Sequence, residues 1–231
     1  MKLLIITGAS SGIGLSTAER FLTNGYTVVN LSRRPCAIPA VTHINCDLGM
    51  PGFLENISQQ LLPLLQQAET LTLIHNAAQL QHDSAVETPS NELRRVLEVN
   101  LIAPNTLNYF LIPYMRPGSS ILYVGSTLSE KAIPGRFSYV VSKHAMIGMM
   151  RATCQDLAGR DVHTACICPG FTDTEMLRQH VPAEVLEQAS HSSAFGRLAS
   201  PGEIADTLYW AATRPVINGA VIHANLGQIE R

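Results

Sequence analysis

Residues 7–14, Thr7-Gly8-Ala9-Ser10-Ser11-Gly12-Ile13-Gly14, follow a short apolar run, MKLLII, and precede a segment in which Leu15, Ala18, Phe21 and Leu22 recur at helical spacing. The run has the character of a buried strand. The periodic segment reads as a helix, and Asn24-Gly25 is a stop for it. Strand, glycine turn and helix in that order restrict the chain to few folds. Such a turn presents backbone amides and the positive end of a helix to a phosphate. Lacking a Cβ, Gly8 can make the tight turn, Gly12 lets the backbone approach a pyrophosphate, and Gly14 lets the helix pack close to the strand.

The remainder of the chain keeps the alternation. Further strands are expected over residues 26–32, 41–46, 71–75, 120–126, 162–168 and 220–224. Helices are expected over 53–67, with Pro63 disturbing its end, over 90–115, interrupted by Pro104, and over 139–157 and 201–212. Strands alternating with helices imply a parallel sheet covered on both faces. The expected fold is therefore α/β, a single doubly wound domain over 1–231 with about seven strands. Ligands in such folds bind at the carboxyl ends of the strands. The glycine turn, Asn76, Ser126 and Pro169-Gly170 all fall just after expected strands.

Tyr139 and Lys143, four residues apart in YVVSK, lie on one face of an expected helix. An ammonium beside a phenol favours the phenolate, so the expectation is a tyrosine pKa drawn toward neutrality and fit for proton transfer. No metal site is expected, because the eight histidines are scattered without ligand spacing. Five cysteines with no C-x-x-C read as reduced thiols, and Cys166 and Cys168 as core filler. A net charge of −2 with no Lys/Arg cluster argues against a nucleic-acid partner. No apolar run approaches membrane-span length, and MKLLIITG is too short for a signal peptide. A cytoplasmic location is expected.

Taken together, TGASSGIG and YVVSK resemble the short-chain dehydrogenase/reductase family, and the resemblance extends over essentially the whole chain. Asn76 in HNAA stands where the family has its N-N-A-G turn, and Asn100 in LEVNLIAPNTL matches its mid-helix asparagine. Ser126 in ILYVGS precedes Tyr139 by thirteen positions, as the family's catalytic serine does. Cys168-Pro169-Gly170-Phe171-Thr172-Asp173-Thr174 resembles the loop after the sixth strand, and 195–205 the approach to the last helix. The turn His75-Asn76-Ala77-Ala78 departs from the family pattern by an asparagine and the glycine. Asn225-Leu226-Gly227 replaces its aspartate-glycine-glycine.

The resemblance implies a nicotinamide coenzyme and a catalytic set of Asn100, Ser126, Tyr139 and Lys143. Asn100 would hold a water through its side chain or through a backbone carbonyl freed by a local kink. Coenzyme contacts are implied for Gly8, Ser10, Ser11, Gly12, Ile13, Gly14, Asp47, Leu48, Asn76, Ala77, Tyr139, Lys143, Pro169, Gly170, Phe171, Thr172 and Thr174. The second strand ends in Leu31-Ser32-Arg33-Arg34 without a carboxylate. A hydroxyl followed by guanidinium groups suits a 2′-phosphate, so Ser32, Arg33 and Arg34 point to NADP(H) rather than NAD(H). The expected activity is hydride transfer between a small carbonyl compound and an alcohol. An NAD-preferring dehydrogenase and a non-catalytic NADP(H)-binding redox sensor stand as alternatives. Residues 171–198 would form a substrate lid, with helices over 174–180 and 183–189. Met176, Leu177, Phe195, Leu128, Ile133 and Phe137 are lining candidates, and Arg136 either meets an acidic substrate or is an exposed loop residue. The apolar helix from Tyr139 through Met150 suits a partner's helix, and a homodimer or homotetramer is expected.

Overall fold

A computed structural model describes residues 1–182, 186 and 190–228. Seven strands form one sheet: β1 Lys2–Thr7, β2 Thr27–Ser32, β3 Thr42–Asn45, β4 Thr70–His75, β5 Ser120–Val124, β6 His163–Pro169 and β7 Ala220–Ala224. Their order is β3-β2-β1-β4-β5-β6-β7, and every neighbouring pair is parallel. The chain winds outward in one direction from β1 and then in the other from β4. The β1/β4 boundary is thus the switch point, where a crevice opens at the carboxyl ends. The described α-helices are α1 Gly12–Thr23, α2 Phe53–Gln67, α3 Ser90–Leu97, α4 Ala103–Leu111, α5 Phe137–Asp156, α6 Glu175–His180 and α7 Pro201–Ala212. The second lid helix expected over 183–189 lies outside the described residues apart from Leu186.

The strands are apolar because both faces of the sheet are covered. One face packs Ile57 and Leu61 of α2, Leu107 of α4 and Met146 and Met150 of α5 against Leu3, Leu73 and Ile121. The other packs Ala18 and Phe21 of α1 and Ile204 and Leu208 of α7 against Leu4, Ile6 and Leu122. α7 begins with a capping box, Ser200 accepting from the Glu203 amide while the Glu203 carboxylate accepts from the Ser200 amide. Pro63 lies inside α2 and does not end it, because Leu61 and Leu65 on either side of it are buried. The long helical segment around Pro104 breaks earlier than expected. A π stretch, Glu98–Ile102, separates α3 from α4, and Asn100 sits in it.

A buried polar chain joins β4 to β5 through α4. His75 Nε2 lies 2.9 Å from Asn108 Oδ1, and Asn108 Nδ2 donates to Tyr123 Oη over 2.7 Å. Asn108 presents its oxygen to the ring, so His75 is the Nε2–H tautomer and donates. Burial lowers the His75 pKa to about 4. In the unfolded chain the imidazole protonates near pH 6.5, so below that pH the unfolded state binds the extra proton and stability falls until about pH 4. Urea unfolding of wild type and His75→Gln at pH 7.5 and pH 4.5 tests this. Wild type should lose about 2–3 kcal/mol more than the variant over that interval, and equal losses would assign the acid sensitivity elsewhere.

Candidate active site

The ends of β1, β2, β4, β5 and β6 supply the site. After β1 the chain turns at Gly8, whose φ is +73°, and the Gly8 amide donates to the Leu31 carbonyl of β2. The Ala9 amide donates to Asn30 Oδ1. After β4, the amides of Asn76 and Ala77 both donate to Thr7 Oγ1 over 3.0 Å, and Asn76 Nδ2 donates to the carbonyls of Thr7 and Gly8. This ties the ends of β1 and β4 together beside the crevice. A Cβ at Gly14 would lie 2.3 Å from Gly8 O and 2.6 Å from Asn76 Nδ2. Helix and turn touch there without room for a methyl group. Gly12, with φ +55°, faces Thr174 of the β6–α6 loop, whose Cγ2 would lie 3.1 Å from a Cβ. Ser11 precedes the first turn of α1 in extended conformation and makes no side-chain cap, while Ile13, in that first turn, is partly buried against the core. These are the features a dinucleotide requires at a glycine turn, and the residues fit such a coenzyme.

Ser126 follows β5 and caps a 3-10 turn, Thr127–Ser129, its Oγ accepting from the Leu128 amide. Tyr139 and Lys143 come from the first turns of α5. Tyr139 is hydrogen-bonded to Ser126, and Lys143 is 2% exposed with Nζ 5.4 Å from the Tyr139 ring centre. The structure corrects the expectation of a softened phenol. Burial pushes the Tyr139 pKa up to about 12 and the Lys143 pKa down to about 8. The ammonium donates to the Val124 carbonyl over 2.7 Å rather than to the phenol, and desolvation is the largest cause of both shifts. Asn100 is wholly buried and its side chain is fully engaged. Its Nδ2 donates to Gln79 O and Ser142 Oγ, and its Oδ1 accepts from the Gln79 amide. Of the two options for this residue, the side chain is therefore taken. The residue four places on is Pro104, which has no N–H to give the Asn100 carbonyl.

Cys166 and Cys168 are indeed buried in β6, with their sulfurs 3.9 Å apart. They also pack against Gly125, which leads from β5 to Ser126. A Cβ at Gly125 would lie 2.7 Å from one sulfur and 2.8 Å from the other. The Cys166 thiol, the Ser126 amide and the Ser129 hydroxyl favour the Cys168 thiolate and hold its pKa below the usual thiol range, while that of Cys166 is raised.

At the end of β2, Ser32 differs from expectation. It is buried, accepts from Asn30 Nδ2 and donates its hydroxyl proton to the Arg34 carbonyl over 2.6 Å. The hydroxyl shapes the turn, and the exposed Arg33 and Arg34 carry the positive charge. Asp47 is exposed and accepts from the Gly49 amide, and Leu48 is buried. Gly170 packs against Asn225, where a Cβ would lie 2.8 Å from the Asn225 Cβ, and its amide donates to Ala224 O. Thr172 pairs with Ala199, and Phe171 is partly exposed. Arg136 does not face a substrate: Nη1 donates to Gln81 O and Nη2 to His180 O. Sequence alone gave no sign of this strut, whose partners lie in the loop after β4 and at the end of α6. Among the described residues there is no cluster of side chains suited to a metal, and no helix is long and apolar enough to cross a membrane.

The fold and site define an NAD(P)-dependent oxidoreductase with a tyrosine-containing active site, acting by hydride transfer on CH–OH and carbonyl groups. The family model described as enoyl-(acyl carrier protein) reductase matches residues 8–228, and the chain belongs to the short-chain dehydrogenase/reductase family. It is 26% identical to the 3-oxoacyl-(acyl-carrier-protein) reductase FabG of Thermotoga maritima, over 99% of this chain and 98% of that protein. It is 28% identical to protein FixR of Bradyrhizobium diazoefficiens, over 98% of this chain and 86% of that protein. Among solved structures it is similar to the ligand-free aldohexose dehydrogenase AldT of Thermoplasma acidophilum, with TM-score 0.89, 28% identity and coverage of 98% and 93%. It is also similar to the angucycline C-6 ketoreductase LanV with bound NADP, with TM-score 0.85, 27% identity and coverage of 98% and 95%.

Gly14→Ala tests the packing at the glycine turn. The methyl group meets backbone on one side and Asn76 on the other, so overpacking should cost about 1–3 kcal/mol of stability. A thermal melt unchanged by the substitution would show that the turn can yield.

Proposed function

We propose that the chain is an NADP(H)-dependent carbonyl reductase or alcohol dehydrogenase in which Tyr139 is the general acid/base. The observation that supports this best is the convergence of Ser126, Tyr139 and Lys143 at the carboxyl end of β5, next to the glycine turn. When bound, the nicotinamide coenzyme supplies or accepts the hydride. In reduction Tyr139 donates a proton to the carbonyl oxygen, and the Ser126 hydroxyl donates a hydrogen bond to the charge growing there. Lys143 holds a positive charge near the phenol and would hydrogen-bond the coenzyme ribose. The Asn100 carbonyl holds a water that resupplies the proton. Residues 8, 10–14, 47, 48, 76, 77, 169–172 and 174 line the coenzyme crevice, and Arg33 and Arg34 receive the 2′-phosphate. The ketoreductase LanV, similar over nearly its whole length, is described with bound NADP, which agrees with this choice. Residues 171–198 act as the substrate lid, closed at the base where Thr172 pairs with Ala199. The partner molecule is a small carbonyl compound or alcohol. Self-association into a dimer or tetramer is supported by Ile102 and Tyr109, which are exposed at the end of the π stretch and on α4.

An NAD-preferring enzyme remains the second reading on one observation: Arg34 is already paired with Glu175. Fluorescence titration with NADPH and NADH separates the two, and the NADP reading predicts that NADPH binds at least tenfold tighter. For catalysis, NADPH oxidation is followed against aldehydes, ketones, quinones and 3-oxoacyl thioesters. Tyr139→Phe should lower kcat by about 10²–10⁴-fold with NADPH affinity kept. Near-wild-type turnover in that variant would remove Tyr139 from the proton step.

A further inference from the structure

Helix α6 lies between two arginines. At its start, Arg34 Nη2 donates to Glu175 Oε2 over 3.2 Å and lies 3.5 Å from Ser11 Oγ. The other carboxylate oxygen, Oε1, accepts from Gln179 Nε2 over 3.1 Å, which fixes the group one turn along its own helix. Thr174, the N-cap of α6, accepts from the Leu177 amide and rests on Gly12. At the far end, Arg136 Nη2 donates to the His180 carbonyl over 3.0 Å while Nη1 donates to Gln81 O. The arginine at the adenosine end of the crevice is thus bonded across to the first residue of the lid helix.

We propose that Glu175 is a coenzyme-specificity residue that acts through Arg34: its carboxylate competes with the coenzyme's 2′-phosphate for one guanidinium. The proposal rests on the assignment of Arg34 to the 2′-phosphate. The Arg34 and Glu175 side chains are 64% and 46% exposed, so their pair is weak, worth a factor of about two to five in an equilibrium. A phosphate dianion offers more acceptor oxygens and more charge than a carboxylate and forms the stronger charge-assisted bonds. It therefore displaces Glu175, releases the first turn of α6 from Arg34, and leaves Glu175 close enough to repel it. The 2′-hydroxyl of NAD(H) has no charge to offer and leaves the bridge closed. Glu175 accordingly lowers the preference for NADP(H) and couples the identity of the coenzyme to the fastening of the lid.

The test is a double-mutant cycle read by NADPH and NADH binding in wild type, Glu175→Gln, Arg34→Met and the double variant. Both side chains are exposed, so the variants should fold. Glu175→Gln should tighten NADPH about two- to fivefold and leave NADH unchanged. Arg34→Met should weaken NADPH at least tenfold and spare NADH, and in that background Glu175→Gln should have no effect. If Arg34→Met selectively weakens NADPH while Glu175→Gln is silent or shifts both coenzymes equally, the competition is overturned and the NADP reading stands. If Arg34→Met does not discriminate between the coenzymes, the NADP reading falls and this proposal with it.

Discussion

The site depends on how closely two strand ends can approach. Thr7 Oγ1 accepts from two successive amides beyond β4, and the Asn76 side chain returns two hydrogen bonds to the β1 end. Four bonds between the same pair of turns hold the walls of the crevice at one spacing. The absence of a side chain at Gly14 is what lets α1 reach that junction. A helix displaced by one methyl group would carry its N-terminal amides away from the phosphate position, and the anion-binding end of α1 would face empty space. Backbone proximity at the switch point thus comes first, and the charge arrangement is built on it.

Much of this was legible in the sequence, because the signals that mattered were local. Strands buried on both faces read as continuous apolar runs, and β7 was placed to the residue at both ends although it is only partly buried. The glycine turn showed its own constraints, since positive φ and contact without a Cβ leave only one residue type. The π stretch was hidden: five residues are too few for apolar spacing to separate a wide turn from an α turn, and Pro104, the visible breaker, lies just beyond it. Long-range pairs were also hidden. Arg34 and Glu175 stand 141 positions apart, and Arg136 finds its partners 55 and 44 positions away, in a loop and at the end of α6. Ser32 kept its expected place but not its expected partner, because a hydroxyl two residues before a free carbonyl makes a local turn bond before it reaches for a ligand.

The tyrosine–lysine pair shows why spacing alone does not fix a pKa. Helical geometry brought the two groups together as expected, with the ammonium near the ring. Lys143 is buried and Tyr139 partly so, and burial penalises a phenolate and an ammonium alike. Both groups are therefore displaced toward their neutral forms. A site in this condition is sensitive to any further charge placed beside it, because the low local polarisability that shifts the two groups also amplifies each new interaction.

The Thr172–Ala199 bridge carries a wider consequence. The polypeptide leaves the scaffold and rejoins it at a backbone clasp, and between those points it is tied back at a few places among the described residues: Arg34 to Glu175, Arg136 to His180, and Ser193 to Gln228. Side chains away from those ties can be exchanged without disturbing the strand ends that hold the reactive groups. A fold built this way can keep one chemistry while selection rewrites what that chemistry is applied to.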